Sequence, residues 1–316
     1  MTAETRIGAV VIGRNEGERL ETCLRSVIHG ADLVVYVDSG SSDGSVELAR
    51  GLGVDVVELD TAGPFTAARG RNAGFKRIID LAPATRHVQF IDGDCELREG
   101  WMAAASAFLA EQPDVAVACG RLRERYPEAS PYNRLCDMEW DTPVGEIEAC
   151  GGIAMMRADA FATSTGFAED LIAGEEPDLC FRLRQAGWRI IRLDTEMALH
   201  DAAMHRIGQW WQRARRSGYA DLEAYRRRGS QVPRLRRKVW SNLLWALPPA
   251  WLLWPLLWIR VSRKRGALYA THIVVGKLPN FLGQASFLMH RLRGSRPALI
   301  EHKKVHASVR SKSDGR

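Results

Sequence analysis

Residues 87–97 read HVQFIDGDCEL, and the fold turns on how they are taken. His87–Asp92 is an apolar run of strand length. It ends in two carboxylates, Asp92 and Asp94, on either side of Gly93. Two carboxylates two residues apart, with a small residue between them, can face one hard cation. Mg²⁺ or Mn²⁺ typically takes one or two carboxylates and completes its shell with substrate phosphate oxygens. A solvated acidic turn has the same three letters, so the surrounding sequence has to decide.

Upstream, the chain alternates between two periods. Ile7–Ile12, Leu33–Asp38 and Val54–Leu59 are short, β-branched apolar runs. Between and after them, Gly17–His29, Ser45–Leu52 and Thr66–Leu81 space their apolar residues as helices do, with Leu20, Leu24, Val27 and Ile28 forming the first stripe. Strands alternating with helices of this length imply an α/β fold with a parallel sheet covered on both faces. Functional groups in such sheets gather at the carboxyl ends of the strands. Arg14, Asn15 and Glu16 follow the first strand, Asp38 ends the second, and Asp92-Gly93-Asp94 closes the fourth. Asp38 precedes a Gly/Ser-rich turn, where a carboxylate could accept from a base N–H or a ribose hydroxyl, while Asp43 reads as a helix N-cap.

Downstream the rhythm is less regular. Trp101–Glu111, Asp178–Ala186 and Ile207–Arg216 read as helices. Val115–Arg125, Gly151–Met156, Trp188–Leu193 and Met197–Leu199 read as strands. Glu175, Glu176 and Asp178 crowd a helix N-terminus, where the dipole favours negative charge. That is good capping, and it is equally a place for a general base whose pKa burial beside other acids would raise. His200, after a short strand, is a structural histidine or a ligand of the same metal. Gly151-Gly152 would let the backbone approach a substrate closely.

Taken in order, VIGRNE, VDSGSSDGS, AARGRNAGF, FIDGDCEL, CGGIAMMR, GEEPDLCFRL and MALHD resemble a family 2 glycosyltransferase of GT-A fold, over about residues 7–220. The resemblance implies a mixed, mainly parallel sheet and inverting transfer from a UDP- or GDP-sugar with Mg²⁺ or Mn²⁺. It implies that Asp92 and Asp94 bind the metal, with His200 closing the site. Ile12, Arg14, Glu16, Asp38, Arg71, Asp92 and Gly93 would then form the nucleotide-sugar site, Arg71 as the arginine of the loop after the third strand. Glu176 matches the catalytic-base position, where Asp is more usual, and Glu175 stays open as its alternative. QWWQRARRSGY is similar to the signature of processive synthases, but Arg216 stands where that signature ends in Trp, which argues against processivity. Trp210 and Trp211 would serve the acceptor or donor loop with Gly151 and Gly152, or else pack as helix aromatics.

Charge divides the chain near Arg226. Residues 1–225 hold 24 Lys and Arg against 36 Asp and Glu, a net of −12, and residues 226–316 hold 20 against 2, a net of +18. We therefore expect a catalytic domain over 1–225 and a basic, Trp-rich, membrane-associating helical region over 226–316. Val239–Ile259 carries no charge and five of the chain's ten Trp, which suits the headgroup region of a bilayer, as the flanking basic clusters suit anionic lipid. Pro248, Pro249 and Pro255 interrupt it, so a re-entrant, hairpin or interfacial segment is expected as much as a crossing. With basic clusters on both flanks, the cytoplasmic face of the inner membrane is the expected location.

Composition narrows the function further. The six Cys form no CxxC pair, against a zinc ribbon or disulfide framework and for a reducing compartment. The N-terminus lacks a basic segment before a long apolar run, so no signal peptide is expected. Nucleic-acid binding fits poorly, because the tail's aromatics are not interleaved with its Lys and Arg. A dinucleotide oxidoreductase would need GxGxxG after the first strand, and a nucleotidyltransferase a Lys in the first loop. A nucleotide-sugar-binding scaffold without turnover is the remaining rival, together with that nucleotidyltransferase. The expected partners are the donor, a lipid-linked or envelope-glycan acceptor hydroxyl, and membrane lipid.

Overall fold

The computed structural model describes residues 6–60 and 66–294. The N-terminal residues 1–5, read above for a leader, and the basic stretch 295–316 lie outside them. β1 (Ile7–Gly13), β2 (Leu33–Asp38), β3 (Asp55–Glu58) and β4 (His87–Asp92) are parallel neighbours in the order β3-β2-β1-β4. The crossovers are α1 (Glu18–Ile28), α2 (Ser45–Gly51) and α3 (Ala67–Leu81). Each forms where the sequence places an apolar stripe. In α1, Leu20, Cys23, Leu24 and Val27 are buried, and α3 starts on Thr66, whose hydroxyl accepts from the Arg69 N–H.

After β4 the chain builds β5 (Cys95–Leu97), α4 (Trp101–Glu111), β6 (Val115–Glu124), α5 (Pro131–Trp140), β7 (Gly145–Glu146), β8 (Ala154–Arg157), α6 (Ala158–Thr163), α7 (Glu175–Gln185) and β9 (Arg189–His200). The sheet continues β4-β8-β6-β9-β5, with β7 on β9. β8 runs antiparallel to β4 and β6, and β5 and β7 antiparallel to β9, while β6 and β9 are parallel. The result is a mixed α/β sheet of GT-A type, with its parallel half at the N-terminus.

Register places the site. Gly13 pairs with Asp38 and Ile12 with Asp92, so three strands end on one edge. Cys95 pairs with His200 across β5 and β9, which brings the far end of the chain's last strand beside Asp94.

Some elements depart from expectation for physical reasons. β9 is one strand rather than two, because the ladder with β6 resumes at Glu196 after a register shift that carries exposed Asp194 and Thr195 through an irregularity. Glu196 is also held by Arg123. α5 escapes a periodicity search because its sequence is mostly polar. It is fixed by Pro131 in its first turn, by Ser130 capping the Asn133 N–H, and by burial of Leu135 and Cys136. α7 begins at Glu175, three residues earlier than its apolar pattern.

The final helices are α8 (Ile207–Arg228), α9 (Pro233–Ala246), α10 (Pro248–Trp251), α11 (Trp254–Val275) and α12 (Lys277–Leu292). α8 passes Arg216 without a break, so the charge boundary near Arg226 falls in its last turn. α12 crosses α8 at a glycine pair. A Cβ on Gly218 would meet the Asn280 carbonyl oxygen at 2.0 Å, and one on Gly283 the Arg215 carbonyl oxygen at 2.0 Å. The apolar run 239–259 is divided at Leu247, which is extended ahead of Pro248. No described helix is long and apolar enough to cross a membrane. Of the 17 exposed large hydrophobic residues described, 13 nevertheless lie within 240–292. That concentrates unpartnered apolar surface on α9–α12.

Candidate active site

The loop after β1 and the turn after β2 are tied together. Asn15, with φ 54°, takes its N–H to Ser41 Oγ at 2.9 Å and accepts from the Ser42 N–H at 2.7 Å. Asp43 accepts from the Gly17 N–H and from Ser45, one position ahead of the N-cap Gly44. Asp38 is 2% exposed, and its oxygens receive the Gly40 and Ser41 N–H groups at 2.8 Å and the Tyr36 hydroxyl at 2.9 Å. Its visible work is to hold this turn, and a base contact of the kind expected from the sequence would share Oδ1 with the Tyr36 hydroxyl. Arg14 is exposed at the rim, and Glu16 pairs with Arg19 at 2.7 Å. The Gly93 N–H donates to the Ile12 carbonyl at 2.8 Å, which fixes the Asp92-Gly93-Asp94 turn against β1.

Arg71 is the centre of the arrangement. It lies in the second turn of α3, not in a loop, and its side chain is 3% exposed. One guanidinium nitrogen reaches Asp92 Oδ1 at 2.7 Å and the other Glu175 Oε1 at 2.9 Å. Burial alone would depress this guanidinium, but the two carboxylates outweigh it and its pKa is raised. A Cβ on Gly152 would sit 2.8 Å from the same guanidinium, so the Gly151-Gly152 backbone passes directly over it.

Asp94 faces the other way. It is 6% exposed, and its Oδ2 lies 3.1 Å from His200 Nε2. Adjacent donors on an octahedral ion with bonds of about 2.1 Å are separated by about 3.0 Å. One carboxylate oxygen and one imidazole nitrogen at this spacing therefore fit Mg²⁺ or Mn²⁺, with Cys95 Sγ 3.3 Å from Asp94 Oδ1 behind them. Asp92 is not within this group; it is held by Arg71 at the mouth. Trp140 packs on the His200 ring, tilted by 32° with centroids 4.7 Å apart, a contact hidden from the sequence because α5 was.

The two glutamates separate. Glu175 points at Arg71. Glu176 turns inward, where its Oε1 accepts from the Cys150 N–H at 2.6 Å, from Cys180 Sγ at 3.0 Å and from Cys150 Sγ at 3.2 Å. Burial raises its pKa, against the hydrogen bonds it accepts. Geometry therefore gives the two candidate bases different surroundings. Glu175 lies beside the Asp92–Arg71 pair, whereas Glu176 anchors the Cys150–Gly152 loop. The i, i+4 spacing of Glu176 and Cys180 on one helix was the available signal for that role. Asp178 is also structural, paired with Arg182 and Arg228. Arg216, at the position where processive synthases have Trp, donates to the Ile172 carbonyl and ties α8 to the loop before Glu175. Trp210 is 5% exposed and donates to His272 Nδ1 at 2.9 Å, while Trp211 packs beside it. Both are interface aromatics between α5, α8 and α11, not members of the Gly151-Gly152 loop.

Comparisons with known proteins agree with this framework. The model of the glycosyl transferase family 2 matches residues 9–163. A pre-mycofactocin glycosyltransferase of Mycobacterium tuberculosis is 28% identical over 199 residues, covering 58% of this chain and 39% of that protein. This chain thus spans about two fifths of that relative's length. Glycosyltransferase AglE of Haloferax volcanii is 22% identical over 258 residues, covering 76% of this chain and 80% of AglE. Among solved structures, the mannosyltransferase PcManGT of Pyrobaculum calidifontis, in complex with GDP-Man and Mn²⁺, superposes with a TM-score of 0.63 at 19% identity. The match covers 91% of this chain and 88% of that one. With the strand-end acids, the Asp92-Gly93-Asp94 turn and the GT-A sheet on one frame, the chain belongs to glycosyl transferase family 2 through the match over residues 9–163.

Proposed function

We propose that this chain is an inverting, metal-dependent glycosyltransferase. It moves a sugar from a nucleotide-diphosphate donor, a UDP- or GDP-sugar, to a hydroxyl of a lipid-linked or envelope-glycan acceptor. The observation that carries the proposal is Arg71, buried and bridging Asp92 to Glu175. It sets a donor-side acid and a base-side acid on two ends of one rigid group.

Asp94 and His200 are the residues to hold a divalent ion, which when bound neutralises the diphosphate leaving group. The loop after β1 and the Ser/Gly turn after β2 present backbone and side-chain groups for the nucleotide, their shape held from behind by Asp38 and Asn15. Arg71 orients Asp92 and keeps Glu175 aimed. Glu175 takes the acceptor hydroxyl proton as that oxygen attacks the anomeric carbon from the face opposite the leaving group. Glu176 holds the Cys150 N–H, and through it the Gly151-Gly152 backbone that closes over Arg71. A single misplacement here matters, because attack needs its partners within about 3–3.5 Å.

Membrane association is part of the proposal. Trp240, Trp251, Leu256 and Leu292 are exposed on the C-terminal helices and Leu252 in the turn between α10 and α11, while α11 itself carries Arg260, Arg263, Lys264 and Arg265. An apolar surface of this kind beside a basic cluster suits the headgroup boundary of an anionic leaflet, with the helices lying on it at the cytoplasmic face. The deciding experiment is a panel of UDP- and GDP-sugars assayed for binding and turnover with Mn²⁺, with lipid extract as acceptor. Donor binding without hydrolysis or transfer under any condition would favour a silent binding module.

A further inference from the structure

The described residues contain a second chemically distinct place, lined by none of the residues of the Arg71 centre. A cavity of about 260 Å³ lies between α8, α9, α11 and α12. Its charges do not balance. Arg213 and His272 both face Glu139, at 2.5 and 2.9 Å. The Trp210 N–H is donated to His272 Nδ1, which therefore accepts, and His272 Nε2 donates to Glu139. Glu139 and Arg213 thus cancel. Lys238 pairs with Asp221 at 2.9 Å. Lys277 is left over. Its ammonium donates only to neutral oxygens, Ser241 Oγ at 3.0 Å and Asn242 Oδ1 at 3.2 Å, and has no carboxylate partner among the described residues. Beside it, Asn242 is 2% exposed, lines the cavity, and has an Nδ2 with no hydrogen-bond partner. A surplus half-buried cation next to an unused buried donor is costly unless an anion completes them.

We propose that this cavity binds a phosphate group, with Lys277 Nζ and Asn242 Nδ2 as its principal donors and half-exposed Lys238 at its open end. A tetrahedral oxyanion offers several acceptors to converging donors, and Lys binds phosphate as a point charge. The volume falls below the roughly 300 Å³ at which complete small-molecule pockets begin, so it suits a headgroup rather than a whole ligand. Burial and Lys238 push the Lys277 pKa down to about 8, and a bound anion would relieve both. The phosphate comes either from a lipid or from solution. Trp240 and Leu244 are exposed on α9, the helix that carries Lys238 and Asn242, so a lipid phosphate could enter while its chains stay on the apolar surface. The lipid source rests on the membrane reading above; the anion site does not.

The test uses the full chain with three probes: inorganic phosphate by calorimetry, vesicles of phosphatidylcholine, and the same vesicles containing phosphatidic acid. Lys277→Met should weaken phosphate binding by about tenfold or more, the worth of a charge-assisted hydrogen bond, and abolish the preference for phosphatidic acid. It should leave attachment to phosphatidylcholine unchanged. Lys277→Arg should recover part of the loss, and Asn242→Leu should reproduce it more weakly. Phosphate binding without vesicle attachment supports the site and sinks the membrane reading. Wild-type affinity for phosphate and phosphatidic acid in folded Lys277→Met, or no phosphate binding by the wild type, would overturn the proposal.

Discussion

Replacing Arg71 with methionine removes the group on which the site is built while keeping most of its volume. Two charge-assisted hydrogen bonds are lost, to Asp92 at 2.7 Å and to Glu175 at 2.9 Å. Each is worth about 1.5–3 kcal/mol in a buried setting. Asp92 is 37% exposed, so water recovers much of its share, whereas Glu175 at 15% stays largely desolvated. Against this, the variant no longer buries a guanidinium whose Nε has no partner. The net loss should be about 2–3 kcal/mol, or about 3–5 °C in Tm for a chain of this size. Urea and thermal denaturation followed by tryptophan fluorescence measure it. Transfer should fall far more than stability, because Glu175 is no longer aimed. Arg71→Lys should restore stability in part but little turnover, since one ammonium cannot span both carboxylates as the planar fork does. A Tm within about 1 °C of wild type, or full turnover in Arg71→Met, would refute the bridging role.

The other expectations are more local. Glu175→Gln should bind donor normally and lose turnover by about 10²-fold or more, the usual worth of a general base. Glu176→Gln should keep a measurable rate with a raised KM, because it loosens the Cys150–Gly152 loop; steady-state kinetics of the pair distinguish the roles, and the opposite pattern makes Glu176 the base. Burial, aided by Arg157, lowers the His87 pKa from 6.5 to about 4. A lowered histidine gives stability that is complete above the unfolded value and is lost as pH falls toward the folded one. About 3 kcal/mol should therefore disappear between pH 6.5 and 4, and His87→Gln should flatten that part of the urea-midpoint profile. Gly218→Val drives a side chain into the Asn280 carbonyl at the α8–α12 crossing. It should cost about 3 kcal/mol and expose the C-terminal helices to proteolysis, while nucleotide binding by the remainder persists; unchanged proteolysis would mean that the crossing is not close-packed.

What the sequence makes legible follows from how local each signal is. The parallel strands and crossover helices announce themselves because period 2 and period 3.6 are written in ten residues at a time, and Asp92 and Asp94 because they close such a strand. His200 was also within reach, since it ends a short apolar run. Which glutamate faces the site was not. Adjacent residues on a helix point about 100° apart, and only the position of Cys150, from a loop 26 residues earlier, decides which of them turns inward. α5 stayed hidden because it is held by a cap and two buried side chains rather than by a stripe, and Trp140 was lost with it. The Lys277 cavity has no sequence signature at all: its charges come from four helices, and the surplus appears only after the ion pairs are assigned in space.

The central claim is that the Arg71-centred site transfers sugar from a nucleotide-diphosphate donor with an ion held by Asp94 and His200. The most direct measurement is turnover of a UDP- and GDP-sugar panel by the full chain with Mn²⁺, with EDTA, and in Asp94→Ala. The account predicts that one donor is consumed with Mn²⁺ and that both chelation and Asp94→Ala abolish its consumption in a protein that still melts cooperatively. Undiminished turnover in folded Asp94→Ala would contradict it.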